Sequence, residues 1–95
     1  MNFGDILLLE NIRFYKGETE NLDSFAEELS APFDLYVNDA FGACHREHAS
    51  ITAITKHLPS VAGFLLEKEV SILENATKDP EKPLGIILGG AKISD

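Results

Sequence analysis

Short, uninterrupted apolar runs occur at residues 6–9, 35–37 and 84–88, separated by longer polar and mixed stretches. The second run, Leu35-Tyr36-Val37, is rich in residues that favour strands. Such runs are typical of strands that are covered on both faces of a parallel sheet, although periodicity alone leaves a buried helix open. The pattern therefore predicts strands at residues 6–9, 35–39 and 84–88.

The stretches between these runs have helical spacing. Residues 21–29 place apolar side chains on one helical face, and Asn21 is the expected N-cap. A second helix is predicted at residues 51–58, and Pro59 ends it. A third is predicted at residues 64–76, which carry the clearest apolar stripe. The order strand, helix, strand at the start of the chain predicts a βαβ unit, and hence an α/β fold with a parallel sheet.

The last predicted strand lies close to the end of the sequence. A charged connector with two prolines, residues 77–83, leads into residues 84–88, and the sequence stops at Asp95. A buried strand of this type needs neighbours on both edges. We therefore expect the chain to be an internal stretch of a longer protein. A helix that covers the edge, or a partner chain, could satisfy the strand instead.

Composition narrows the function classes. With 44% hydrophobic residues, 95 residues can bury one modest core. No apolar run approaches the roughly 20 residues that cross a bilayer, and the start lacks a signal-peptide pattern, so no membrane partner is expected. A net charge of −8 disfavours nucleic acid as a partner. The single cysteine, Cys44, cannot form an internal disulfide, which makes the cytoplasm the expected compartment.

The two arginines are the most informative charged residues. Arg13 follows the strand predicted at residues 6–9, and Arg46 follows the strand predicted at residues 35–39. Because ligands bind beyond the carboxyl ends of parallel strands, both guanidinium groups are expected on one side of the sheet, where they could bind a phosphate or carboxylate. His45 and His48, which flank Arg46, could add donors. Alternatively, the arginines merely form surface ion pairs with Glu10, Asp39 or Glu47.

Other residues carry weaker signals. Asp39, at a strand end, could act as a general base or bind a metal, or it could orient an arginine or cap the next turn. Cys44 beside His45 suggests a thiolate nucleophile, but adjacent side chains rarely point at each other. Residues 89–92, Gly-Gly-Ala-Lys, could contact phosphates, although taken alone they are better explained by a plain tight turn after a strand. No spacing typical of metal ligands is visible.

Taken together, four parts of the sequence resemble phosphoglycerate kinase, in that family's order and at its spacing. They are residues 7–14 (LLLENIRF), residues 36–42 with 45–46 and 48–50 (YVNDAFG, HR, HAS), residues 60–69 (SVAGFLLEKE) and residues 89–95 (GGAKISD). The resemblance spans nearly the whole chain, and its second part is the most specific.

The resemblance implies a fold and a division of the chain. The fold is α/β, a partial three-layer, parallel-sheet (Rossmann-like) fragment of a two-lobed kinase. Residues 1–63 would belong to the phosphoglycerate-binding domain. Residues 64–83 would form the interdomain helix and linker. Residues 84–95 would supply the first strand and the Gly-Gly-Ala-Lys loop of the nucleotide-binding domain.

The resemblance also implies an activity, that of a glycolytic phosphotransferase with a carboxyl-group acceptor. Such a kinase transfers a phosphoryl group reversibly between 1,3-bisphosphoglycerate and ADP, giving 3-phosphoglycerate and ATP. Mg²⁺ accompanies the ATP or ADP, and the complete enzyme is expected to be a cytoplasmic monomer. No metal ligand is assigned within this stretch.

Matching by motif assigns the residues. Those expected to bind phosphoglycerate are Arg13, His45 and Arg46. Those expected at the start of the nucleotide site are Gly90, Ala91, Lys92 and Asp95. Lys92 is also the expected catalytic residue, because fixed positive charge there would counter the charge on the transferring phosphoryl group. Asp95 would lie near the metal-nucleotide.

The sequence departs from the family in two ways. Cys44 stands where the family usually has a small apolar residue, which weakens the thiol interpretation. The sequence also lacks the family's upstream substrate loop and catalytic arginine, and its downstream segments that bind adenosine and magnesium. Because phosphoryl transfer depends on positioning, we expect the 95-residue chain alone to be inactive. The alternative function is a fragment that only binds anions or docks with the rest of the enzyme.

Overall fold

The computed structural model describes residues 2–91, which form a mixed α/β structure with a two-stranded parallel sheet. Strand β1 (Tyr36–Asn38) pairs with strand β2 (Ser60–Ala62), and Val37 lies opposite Val61. The predicted α/β class and the predicted second strand are confirmed. The sequence did not predict strand β2. Its three residues, Ser60–Ala62, are too few and include too little apolar surface to form a recognisable strand pattern.

In the described part of the chain, three α-helices accompany the sheet: α1 (Lys16–Thr19), α2 (Asp23–Ser30) and α3 (Phe64–Lys78). Short 3-10 helices occur at Ile12–Phe14, Phe41–Ala43 and Ala53–Lys56. The predictions of α2 and α3 are confirmed to within two residues at each end. No helix within residues 2–91 is both long enough and apolar enough to span a bilayer.

The predicted helix at residues 51–58 is wrong in extent, because only the 3-10 helix Ala53–Lys56 forms there. Isoleucine and threonine dominate this segment, and such β-branched side chains lose rotamer freedom in a helix. Asn21 is also not the N-cap of α2, since Leu22 holds that position. Asn21 instead adopts a left-handed conformation (φ 52°), which asparagine tolerates better than most residues.

The strands predicted at residues 6–9 and 84–88 do not form, so the predicted βαβ unit is wrong. The side chains of Ile6 and Ile87 are almost fully exposed, at 97% and 98%. A parallel strand of this type needs hydrogen-bonding neighbours on both edges. Within residues 2–91 the only strand pairing is that of β1 with β2, so neither apolar run has a partner there.

The core is small and lies between α2 and the segment that follows Arg46. Its buried side chains are Ala26, Ala49, Ala53 and Ile54, and Phe25, Leu29, Tyr36 and Leu58 pack against them. This core packs residues 48–54 against α2. It therefore fixes the position at which the preceding loop, which contains His45 and Arg46, ends.

Candidate functional site

Arg13 lies in the 3-10 helix Ile12–Phe14, just before α1. The side-chain oxygen of Asn11 accepts a hydrogen bond from the backbone N–H of Arg13 at 3.0 Å. This contact orients the start of the turn, and the Arg13 side chain itself is exposed. The sequence predicted that Arg13 follows the carboxyl end of a strand. That prediction is wrong, because residues 6–9 do not form a strand.

His45 and Arg46 follow the carboxyl end of β1, and both are exposed. The Asn38 side chain accepts a hydrogen bond from the backbone N–H of Ala40 at 2.9 Å, which starts a turn into the 3-10 helix Phe41–Ala43. The N–H of Arg46 then donates to the carbonyl of Ala43 at 3.1 Å. The loop is thus ordered by its own backbone, while the side chains of His45 and Arg46 remain exposed to a ligand.

Neither arginine forms an ion pair within residues 2–91. The ion pairs of this part of the chain are His48–Glu18, His57–Asp23 and Lys78–Glu74. Glu10, one suggested partner, accepts a hydrogen bond from the Tyr15 hydroxyl at 2.6 Å, which raises the pKa of Tyr15. The alternative in which the arginines merely form surface ion pairs is therefore wrong for this structure.

Asp39 caps helix α3. Its Oδ1 accepts the backbone N–H groups of Leu65 at 2.8 Å and of Leu66 at 3.1 Å. The N-cap of α3 is Gly63, which has no side chain to do this. The sequence suggested that Asp39 could cap the turn directly after it, and the structure shows instead that it caps α3. Asp39 thus joins the end of β1 to the start of α3.

Asp39→Ala is expected to lower the free energy of unfolding by about 1–2 kcal/mol, because two helix amides lose their acceptor and the helix dipole loses a nearby negative charge. Urea unfolding monitored by circular dichroism measures the change. Asp39→Asn keeps an oxygen acceptor and should lose roughly half as much. Equal stability of Asp39→Ala and the unsubstituted chain would contradict the capping role.

Glu18, which sequence reasoning did not select, is the centre of a buried network. Its carboxylate accepts hydrogen bonds from the backbone N–H of Ser50 at 2.8 Å and from the Ser50 hydroxyl at 2.6 Å. The Nδ1 atom of His48 lies 3.6 Å from the same carboxylate. Nothing in the local sequence pattern marks this contact, because the partners are 32 positions apart.

Tyr36 forms a further hydrogen bond to the segment that contains His48 and Ser50. Its hydroxyl donates to the carbonyl of Ser50 at 2.6 Å. Burial, with smaller contributions from the negative charges of Cys44 and Glu18, raises the pKa of Tyr36. The folded chain therefore keeps this proton at a pH where the unfolded chain has lost it.

Stability is consequently expected to fall as pH rises from about 10, where an unfolded tyrosine ionises, through the raised pKa of Tyr36. Below that range this contribution is fully present. In a Tyr15→Phe background Tyr36 is the one tyrosine left, so titration of the phenolate absorbance reports on it alone. A midpoint at or below that of a free tyrosine would contradict the expectation.

Cys44 does not contact His45. Its Sγ donates to the carbonyl of Ala40 at 3.2 Å and lies 3.5 Å from the Asn38 side-chain nitrogen. The thiol therefore belongs to the turn after β1, and the geometry gives no support to a thiolate–imidazole pair.

The expected nucleotide loop lies at the edge of the described residues. Gly90 and Ala91 are exposed, and Gly90 has a φ of +134°, a conformation that glycine readily adopts. Lys92 and Asp95 lie outside the described residues. An open apolar groove occurs elsewhere, lined by Leu7, Phe25, Phe33 and neighbouring residues, and it includes neither arginine.

Residues 2–91 thus form a mixed α/β structure with a buried polar network and with two exposed arginines that have no ion-pair partner in this part of the chain. The family model of phosphoglycerate kinase matches residues 1–95. The chain belongs to the phosphoglycerate kinase family.

Curated relatives agree with this assignment. The phosphoglycerate kinase of Rubrobacter xylanophilus is 58% identical over 90 residues, which cover 95% of this chain and 23% of that protein. Those of Trichodesmium erythraeum and Prochlorococcus marinus are 55% and 58% identical over 95 residues, covering 99% of this chain and 24% of each relative. The chain therefore spans about a quarter of the length of these relatives.

Proposed function

We propose that this chain supplies part of the phosphoglycerate site of a phosphoglycerate kinase. The reaction is reversible phosphoryl transfer between 1,3-bisphosphoglycerate and ADP, giving 3-phosphoglycerate and ATP in glycolysis. The observation that carries the proposal is the match of residues 1–95 to the family. The two exposed arginines, which have no ion-pair partner among residues 2–91, support it.

Arg13, His45 and Arg46 are the proposed phosphoglycerate-binding residues. A guanidinium group presents a planar fork of donors that fits phosphate or carboxylate oxygens, which a lysine ammonium does not match. The hydrogen-bonded turns before Arg13 and Arg46 reduce the backbone ordering needed on binding. His45 would donate more strongly once protonated.

The nucleotide side of the proposal rests on the motif alone. Gly90, Ala91, Lys92 and Asp95 are the proposed nucleotide-binding residues, with Lys92 countering charge on the transferring phosphoryl group. Within residues 2–91 no three His, Cys, Asp or Glu side chains are grouped as metal ligands. In line with the family, we propose that Mg²⁺ enters with ATP or ADP, and we assign no step to it here.

The proposed organisation follows the family. Residues 1–63 would belong to the phosphoglycerate-binding domain, residues 64–83 would join the domains, and residues 84–95 would begin the nucleotide-binding domain. The complete enzyme is proposed to be a cytoplasmic monomer.

A second candidate function is a catalytically incompetent chain that binds anions or docks with the remainder of such an enzyme. The exposed apolar residues favour docking, since Phe3, Ile6 and Leu8 are all more than 90% exposed. Activity of a complete enzyme in which this chain replaces the matching stretch of a relative separates the two, whereas a coupled assay for ATP formation on the chain alone does not. We expect no turnover above the blank from the 95-residue chain.

Calorimetric titration of the chain with 3-phosphoglycerate tests the binding proposal. Weak, saturable binding is expected, and it should disappear at about 0.5 M salt because exposed charge contacts are screened within a few ångström there. Glycerate, which lacks the phosphate group, is the control and should not bind measurably. Binding of 3-phosphoglycerate that salt leaves unchanged would contradict a site built from exposed arginines.

A further inference from the structure

Glu18 is the one charged side chain that is fully buried within residues 2–91, with 2% of its surface exposed. Burying a carboxylate is costly unless hydrogen bonds satisfy it. Here both oxygens are used, since Oε2 accepts the Ser50 backbone N–H and Oε1 accepts the Ser50 hydroxyl. The backbone of Glu18 adds a third contact, because its carbonyl accepts the N–H of Ala49 at 2.9 Å.

These contacts join two segments that are distant in the sequence. Glu18 lies in α1, directly after the 3-10 helix that contains Arg13. Residues 48–50 come directly after the loop that contains His45 and Arg46. Ala49 is completely buried at this junction, so the contact is a fixed point from which the exposed loop extends.

We infer that Glu18 is a positioning residue, which fixes the His45–Arg46 loop relative to the Arg13 turn so that both can engage one anionic substrate. This inference rests on the proposed function. A carboxylate suits the position because it accepts hydrogen bonds at both oxygens. Glutamine has one side-chain oxygen and no charge, so both charge-assisted hydrogen bonds to Ser50 would be replaced by weaker, neutral ones.

Amide hydrogen exchange in the 95-residue chain tests the structural half of the inference. In Glu18→Gln, amides of residues 43–50 should exchange at least about tenfold faster, whereas those of α3 keep their rates. Glu20→Gln is the matched control, because it removes the same charge from an exposed position two residues away. Unchanged exchange in residues 43–50, or equally faster exchange in α3, would overturn the inference.

Ser50→Ala provides a milder second variant. It removes the hydroxyl donor but keeps the backbone N–H that Glu18 also accepts. Its effect on residues 43–50 should have the same direction as that of Glu18→Gln and be smaller. If Glu18→Gln fails to fold, Ser50→Ala decides, and unchanged exchange there overturns the inference.

Kinetics tests the functional half in a chimeric enzyme, defined as the Rubrobacter xylanophilus phosphoglycerate kinase with its matching stretch replaced by this chain. Glu18→Gln should raise the KM for 3-phosphoglycerate about tenfold, the effect of weakening one charge-assisted contact, while the KM for ATP stays constant. A role in stability alone would lower only the amount of active enzyme. If Glu18 acted only through its negative charge, which repels the anionic substrate, Glu18→Gln would lower the KM for 3-phosphoglycerate.

The outcomes distinguish the inference from the proposed function. An active chimeric enzyme in which Glu18→Gln leaves the KM for 3-phosphoglycerate equal to that of Glu20→Gln overturns the positioning role. A chimeric enzyme that folds but is inactive counts against the proposed function. In that case, exchange in residues 43–50 still decides whether Glu18 positions the loop.

Discussion

Replacing both Arg13 and Arg46 by alanine is expected to weaken binding of 3-phosphoglycerate by at least about 100-fold, which removes measurable affinity from an already weak site. Each guanidinium group can donate two charge-assisted hydrogen bonds to one anionic group. Neither has an ion-pair partner within residues 2–91, so both are available to a ligand. Calorimetry on the unsubstituted and doubly substituted chains measures the difference.

The matched control is the double replacement of Arg13 and Arg46 by lysine. It keeps both positive charges but removes the planar fork, so an intermediate loss is expected. If the lysine variant binds as tightly as the unsubstituted chain, general charge attraction accounts for the affinity. If the alanine variant binds 3-phosphoglycerate as tightly as the unsubstituted chain, the ligand binds elsewhere.

Gly63→Ala is expected to lower the free energy of unfolding by about 1–3 kcal/mol, because the added methyl group overpacks the junction between β1 and α3. A Cβ at Gly63 would lie 2.5 Å from the Cβ, Cγ and Oδ1 atoms of Asp39, far inside van der Waals contact. The backbone conformation of Gly63 is an ordinary extended one, so the requirement is for space. Urea unfolding provides the measurement.

Gly85→Ala is the control for Gly63→Ala, since a Cβ at Gly85 would meet nothing within 4 Å. Its effect should stay within about 0.5 kcal/mol. The double variant Gly63→Ala with Asp39→Gly removes the clashing side chain and should recover part of the loss, although α3 then lacks its cap. A loss for Gly63→Ala no larger than that for Gly85→Ala would show that Asp39 moves aside freely.

The elements that the sequence predicted well are those whose signal is local. Helix α3 carries a long apolar stripe, and β1 carries aromatic and β-branched residues before a turn sequence. The short strand β2 has no such pattern, because it is defined by its pairing with β1. The run at residues 6–9 shows the converse, since it has strand character and lacks a pairing partner within residues 2–91.

The candidate site divides in the same way. The positions of His45 and Arg46 after β1 could be predicted because they follow a predictable strand within a specific motif, and their binding role stays a prediction. The role of Asp39 at α3 was not among the alternatives for this residue, since its partners lie 26 and 27 positions away. Glu18 could not be found, because a single glutamate on a short polar helix gives no sign of being buried. The roles of such residues depend on tertiary contacts, which no local sequence pattern encodes.

The chimeric enzyme provides the most direct test of the claim that this chain supplies the phosphoglycerate side of a kinase site. We predict that it makes ATP from 1,3-bisphosphoglycerate and ADP at no less than about a tenth of the parent rate, a barrier increase of at most ~1.4 kcal/mol. Arg46→Ala in the same enzyme should reduce kcat/KM for the phosphoglycerate substrate by at least about 100-fold. A folded but inactive chimeric enzyme, or an active one that is indifferent to Arg46→Ala, would contradict the account.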